Sequence, residues 1–65
     1  MKKDDYRLYT KDDISLDEYK EYIRRGVHYA DPTDDYLNQY LDDIEEFYSD
    51  GWTVGTAMTA ILMGY

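Results

Sequence analysis

The side chains that could carry out catalysis are few and scattered along the chain. The single histidine, His28, lies in a short connection, and Ser15 and Ser49 fit the start and end of predicted helices. This set contains no nucleophile, base and orienting group at a spacing typical of hydrolytic triads. Neighbouring carboxylates such as Asp34 and Asp35 point about 100° apart on a helix, which does not make an acid–base pair. We therefore expect a protein that is not an enzyme.

Metal chemistry has little support in the sequence. A calcium-binding loop is weakly suggested by the spacing of Asp31, Thr33, Asp35 and Asp42. However, Tyr36 occupies the sixth position, where such a loop needs glycine. The chain has no cysteine, so it offers neither a thiol nucleophile nor a thiolate zinc site. We expect no metal and no cofactor.

The remaining chemistry is negative charge, concentrated in residues 31–50, which carry eight carboxylates and no base. The first 28 residues contain all seven Lys and Arg together with seven acids, so the formal net charge of −8 lies in the second half of the chain. A charge of this sign argues against direct binding of nucleic acid or anionic lipid. It favours a basic protein as the partner.

Carboxylates on one continuous helix would be spaced like the phosphates of a nucleic acid. Twenty helical residues span about 30 Å, which gives one carboxylate per roughly 3.8 Å, against about 3.4 Å per phosphate along a DNA strand. Exposed tyrosine rings beside these acids favour contacts with arginine. We predict that the partner-binding residues are Asp34, Asp35, Tyr36, Asp42, Asp43, Glu45, Glu46 and Asp50.

In size, acidity and lack of cysteine, the chain resembles small inhibitors made by phages and mobile elements, such as anti-restriction, anti-CRISPR and DNA-glycosylase-inhibitor proteins. The resemblance rests on size and charge, and no motif assigns a role to a residue. It implies a nucleic-acid mimic that occupies the basic surface of a nucleic-acid-binding enzyme. A second likeness, to the first two helices of a ubiquitin-associated domain, rests on Ile44, Phe47, Gly51, Trp52, Ala57, Ala60 and Ile61.

An alternative interpretation assigns binding to an apolar surface. The third predicted helix carries no charge, and such helices are usually buried on most sides. The protein would then be a structural or regulatory protein–protein interaction module, and its acids would only keep it soluble. We predict a homodimer through this helix, with an interface formed by Gly55, Met58, Thr59, Ala60 and Met63.

The elements that position these residues are predicted to be helices. Ser15 and Glu18 fit a capping box at the start of the first helix. Asp31 and Pro32 are typical of an N-cap and a first helical position. C-terminal caps are predicted at Gly26, Gly51 and Gly64. Together with apolar residues at helical spacing, these signals predict an all-α, compact three-helix domain with helices near residues 15–25, 32–49 and 53–63.

Residues 1–13 are predicted to form an extended N-terminal arm, and residues 14–65 the helical domain. No signal-peptide pattern follows Met1. The longest uncharged segment, residues 51–65, is shorter than the roughly 20 residues that a membrane-spanning helix needs. We expect a cytoplasmic protein.

Overall fold

The structure is a computed structural model that describes residues 5–64 of the chain. A short 3-10 helix and four α-helices follow one another in this range: the 3-10 helix Tyr6–Leu8, α1 (Leu16–Val27), α2 (Asp35–Gln39), α3 (Leu41–Ser49) and α4 (Val54–Leu62). These described residues include no β-strand. The predicted all-α class is therefore confirmed.

Helix α1 begins where the sequence predicts. The Ser15 hydroxyl accepts a hydrogen bond from the Glu18 N–H at 3.3 Å, and the Glu18 carboxylate accepts one from the Ser15 N–H at 3.0 Å. These two bonds complete the capping box and satisfy amides that the helix itself cannot pair.

The end of α1 differs from the prediction. Gly26 was expected to end the helix in a left-handed conformation, but α1 continues to Val27, which is fully buried. The absence of a side chain at Gly26 serves close packing, because a Cβ there would overlap the Met58 side chain. The predicted left-handed glycines at the other two positions are confirmed, with φ +85° at Gly51 and +75° at Gly64.

The single helix predicted for residues 32–49 is two helices, α2 and α3, which meet at Tyr40. The Tyr40 backbone (φ −105°, ψ 15°) lies outside the α region. Its N–H is shared between the carbonyls of Tyr36 at 3.0 Å and Leu37 at 3.2 Å. The apolar pattern does not reveal this break, because Leu37 and Ile44 are buried here just as a continuous helix would require.

The start of α2 is also later than predicted. Asp34 takes up a left-handed conformation (φ 61°, ψ 24°), which excludes the residues before it from the helix. Asp31 is 3% exposed, and its carboxylate accepts hydrogen bonds from the N–H groups of Tyr36 at 3.1 Å and Leu37 at 3.0 Å. Asp31 therefore caps the helix, as the sequence predicts, but it lies one turn upstream of the residue that precedes α2.

The core lies where α1 packs against α3 and α4. The Thr53 hydroxyl caps α4 by accepting from the Thr56 N–H at 3.2 Å. Within the described chain, none of the helices combines the length and apolar character that a membrane span requires. The buried apolar residues are Tyr19, Ile23, Val27, Leu37, Ile44, Phe47, Val54, Ala57, Met58 and Ile61.

The N-terminal segment, residues 5–14, packs across α1 and α4. Tyr6 stacks on the ring of Tyr22 with centroids 5.4 Å apart, and Tyr9 meets the same ring edge-on at 5.5 Å. The Tyr9 carbonyl accepts a hydrogen bond from the Val54 N–H at 2.9 Å. Residues 1–4 of the predicted arm, and Tyr65 of the predicted domain, lie outside the described residues.

Candidate partner-binding surface

The outward side of α3 carries a cluster of carboxylates. The inward side buries Ile44 and Phe47, so residues on the opposite side of the helix point to solvent. Four of the acids are exposed and Asp43 is partly buried. We call the five together the acidic surface: Asp42, Asp43, Glu45, Glu46 and Asp50.

None of these five carboxylates forms an ion pair with another of residues 5–64. The ion pairs lie instead in the N-terminal half, where Arg7 binds Asp5 at 2.6 Å. In α1, Glu21 binds Arg24 at 2.6 Å and Arg25 at 3.0 Å. The fold therefore leaves the charge of the acidic surface unneutralised by these arginines.

The pKa values of the paired groups reflect this arrangement. The hydrogen bond from Arg24 is the main cause that lowers the pKa of Glu21 to about 2, and Arg25 lowers it further. The same hydrogen bond raises the pKa of Arg24. In the N-terminal segment, the side-chain hydrogen bond between Arg7 and Asp5 lowers the pKa of the acid and raises that of the base. Arg7, Arg24 and Arg25 thus pair with acids of their own half, and the charge of Asp34 contributes further to the raised pKa of Arg24.

Among the described residues, one base does reach α3, at its C-terminal end. Lys11 Nζ donates a hydrogen bond to the Ser49 carbonyl oxygen at 2.9 Å. A positive charge is favourable there, because the helix dipole places partial negative charge on the last carbonyl groups. Sequence reasoning missed this contact, since its partners are 38 positions apart and no local pattern links them.

Three further residues of the predicted surface lie on the other side of the break at Tyr40. Asp35 and Tyr36 are exposed, and Asp35 accepts a hydrogen bond from the Thr33 hydroxyl at 2.8 Å. Asp34 is only partly buried, but its Oδ1 is enclosed without a hydrogen-bond partner. Because α2 and α3 are separate helices, the expected single row of carboxylates at even, phosphate-like spacing is not formed.

The five residues predicted as a dimer interface do not share one open face. A Cβ at Gly55 would lie 3.1 Å from the Arg7 carbonyl oxygen, so the N-terminal segment already covers this part of α4. Met58 is 9% exposed and lies against α1. Thr59 is exposed, Ala60 is partly buried and Met63 is 81% exposed. Gly55, Met58 and Ala60 thus pack against other parts of the chain, and the homodimer itself stays a prediction.

Two other side chains that were considered for catalysis have a clear place in the structure. His28 is exposed at the end of α1, and Ser15 is the cap of that helix. Across residues 5–64, no group of three or more acidic or histidine side chains is arranged to hold a metal ion.

A comparison of the chain with protein-family models, with curated proteins and with solved structures found no match. The function of this protein must therefore be inferred from the chemistry of the surfaces described above.

Proposed function

We propose that this protein is a small inhibitor that binds a basic, nucleic-acid-binding surface of a partner protein and acts by occupying it. The observation that supports this proposal is the acidic surface, whose five carboxylates have no ion-pair partner among the described residues. Within this proposal the protein acts by binding and not by catalysis, and it works in the cytoplasm together with its partner. The anti-restriction and anti-CRISPR proteins are the kinds of inhibitor that it resembles.

The length of α3 limits the size of the partner's site. Nine helical residues span about 13 Å, which matches about four phosphates of a single strand at roughly 3.4 Å each. The partner's site would therefore be a compact cluster of Arg and Lys, and Tyr36, 50% exposed beyond the helix break, supplies a ring for an arginine at its edge.

Charge of this kind acts first on the rate of association. Unpaired surface carboxylates attract a basic partner over distances of about one Debye length, roughly 8 Å at physiological salt. In the complex, arginine and lysine side chains form charge-assisted hydrogen bonds with the same carboxylates. Binding should accordingly weaken steeply as the salt concentration rises.

The experiment compares two double variants of equal net charge. Asp42→Lys with Glu46→Lys changes the acidic surface, whereas Asp12→Lys with Asp17→Lys changes exposed acids elsewhere. Each pair moves the formal net charge from −8 to −4 and includes one acid in the first turn of a helix. The measurement is capture of basic partners from a host lysate at low and high salt, followed by affinity for the protein captured.

We expect the α3 variant to lose at least about 100-fold in affinity, because each reversal replaces an attractive contact by a like-charge one. The affinity of the control variant should stay within about threefold of the wild-type affinity, because its changed charges act on the partner only through screened, long-range attraction. Equal losses in both variants would mean that net charge alone drives binding. Full binding by the α3 variant would refute the acidic surface as the site.

A second candidate function has its own support in the structure. Leu62 and Met63, at the end of α4, are 37% and 81% exposed, as an apolar protein–protein interaction module requires. In this case the partner would bind equally well at high salt, since apolar contacts are not screened. Substitution of Met63 by Glu, which leaves the acidic surface unchanged, would then abolish binding.

A further inference from the structure

A groove of about 570 Å³ lies between the 3-10 helix, the end of α1 and α4. Its apolar part includes Met58 and Leu62, and Gly26 lines it on the α1 side. The volume falls within the range of about 300–1,000 Å³ that binding pockets usually have. The groove is therefore large enough to accept an aromatic side chain.

Tyr29 also lines this groove and is 80% exposed, the most exposed of the large aromatic side chains in the described chain. It lies two residues after the end of α1, whose last turn carries Gly26. The same patch thus contains an apolar hollow and a projecting ring. A surface that carries both halves of a contact can bind a second copy of itself around a two-fold axis.

The charges of the groove also favour a second copy. Asp5 and Arg7 are the charged side chains among its described lining residues, and they pair with each other at 2.6 Å. The patch is therefore neutral, although the chain carries a formal net charge of −8. Two copies that repel each other elsewhere can approach here, because the patch adds no net charge and Asp5 and Arg7 can exchange partners between the copies.

We propose that this chain forms a two-fold symmetric dimer in which Tyr29 of each copy enters the groove of the other. Arg7 of one copy then faces Asp5 of the second, and the reverse pair forms on the other side of the axis. No described residue of α3 lines the groove, so the dimer leaves both acidic surfaces free. This interface shares Met58 with the one that the sequence suggested, but it also uses Tyr29 and the 3-10 helix, which the sequence did not suggest.

Salt distinguishes this contact from binding of a basic partner, because its dependence has the opposite sign. Raising the salt concentration screens the repulsion between two chains of charge −8, so dimerisation strengthens. The proposed inhibitor complex weakens under the same change. Measurements at two salt concentrations can therefore show that the dimer does not form while the proposed function holds. They can equally show that the dimer forms while the proposed function fails.

The experiment is sedimentation equilibrium of the full chain from micromolar to millimolar concentration, at about 50 mM and about 500 mM salt. We expect a wild-type dimer that is tighter at the higher salt. Tyr29→Ala should raise the dissociation constant at least about tenfold. The matched control, Tyr36→Ala, removes an exposed tyrosine outside the groove and should change it less than about twofold. A wild-type monomer throughout, or a dimer indifferent to Tyr29→Ala, would overturn the proposal.

A charge exchange provides a second measurement. Arg7→Asp places two acids in the patch of each copy and should weaken the dimer about tenfold. The double variant Asp5→Arg with Arg7→Asp restores an acid and a base, and it should recover the wild-type strength of dimerisation. Circular dichroism checks that each variant is folded. A double variant that dimerises no better than Arg7→Asp would refute the proposed pairing.

Discussion

Tyr19 offers a direct test of the core, because its phenol is buried and titratable. The side chain is 0% exposed, and its hydroxyl donates to the Trp52 carbonyl at 3.0 Å. Its ring meets that of Tyr48 edge-on at 5.0 Å. Burial disfavours the charged phenolate and raises the pKa of Tyr19 to about 12.

The direction of the pH dependence follows from this shift. The folded pKa of about 12 lies above the value of about 10 for an unfolded tyrosine, so the folded state holds the proton more tightly. The contribution of Tyr19 to stability is complete below pH ~10 and is lost as the pH rises towards 12. A difference of two pKa units corresponds to about 2.7 kcal/mol. That is a large share of the free energy of unfolding of about 5–15 kcal/mol that is typical of domains.

Tyr19→Phe keeps the ring and removes the titrating group. At pH ~8 the variant should be less stable by about 1 kcal/mol, because it lacks the hydrogen bond to Trp52. The wild type alone then loses about 1.4 kcal/mol between pH ~9 and pH ~11 from this residue. The stabilities of the two proteins should therefore cross near pH ~11.

Urea unfolding, followed by circular dichroism between pH ~8 and pH ~11.5, measures this difference. The other tyrosines titrate in both proteins, so their effects cancel in the comparison. Tyr36→Phe, at a 50% exposed position, is the control and should follow the wild type throughout. If the curves of wild type and Tyr19→Phe stay parallel over the whole range, the phenol is not buried as described.

Three further predictions concern the loop before α2 and the ion pairs of α1. Asp31→Ala should destabilise the fold by about 2 kcal/mol, because it leaves two amides of α2 without an acceptor. The stability of Asp31→Asn should lie between that of Asp31→Ala and that of the wild type. Equal thermal midpoints for all three proteins would refute the cap. Asp34→Gly should raise the thermal midpoint, since it relieves a left-handed residue and removes an unpaired buried oxygen, and a lower midpoint would contradict this reasoning. The pKa of Glu21 is lowered by its arginines to about 2, so its contribution to stability is present above pH ~4.5 and disappears as the pH falls towards 2. Glu21→Gln should thus be less stable than the wild type at neutral pH but similar at pH ~2, whereas a constant difference between them would count against the pairs.

Local signals in the sequence were sufficient for the helices that begin with a side-chain cap. Ser15 has its bonding partner three residues away, so the start of α1 could be read directly, and the Thr53 cap, with the same spacing, lies at the predicted start of α4. Gly26 shows the opposite case. Its role depends on Met58, which is distant in sequence, and a glycine near the end of a helical pattern looks the same whether it caps the helix or admits a neighbour.

The candidate site was predictable to a similar degree. The acids of α3 could be assigned to an outward surface, because Ile44 and Phe47 define the inward side. The break at Tyr40 involves neither proline nor glycine, and so nothing in the local sequence separated Asp35 from the acids that follow. Asp31 was predicted as a cap, but its burial was not, and its two amide partners compensate for the loss of water.

The hydrogen bond from Val54 to Tyr9 makes one amide a reporter on the N-terminal segment. The first N–H of a helix has no acceptor within that helix, and here the carbonyl of Tyr9 supplies one from outside. Exchange of the Val54 amide proton with solvent deuterium therefore requires the segment to leave α4, even while α4 stays folded. The amide of Ala57, bonded within the helix to the Thr53 carbonyl at 3.1 Å, exchanges only when α4 itself opens. The ratio of the two rates measures how often the chain releases its own N-terminal segment without unfolding.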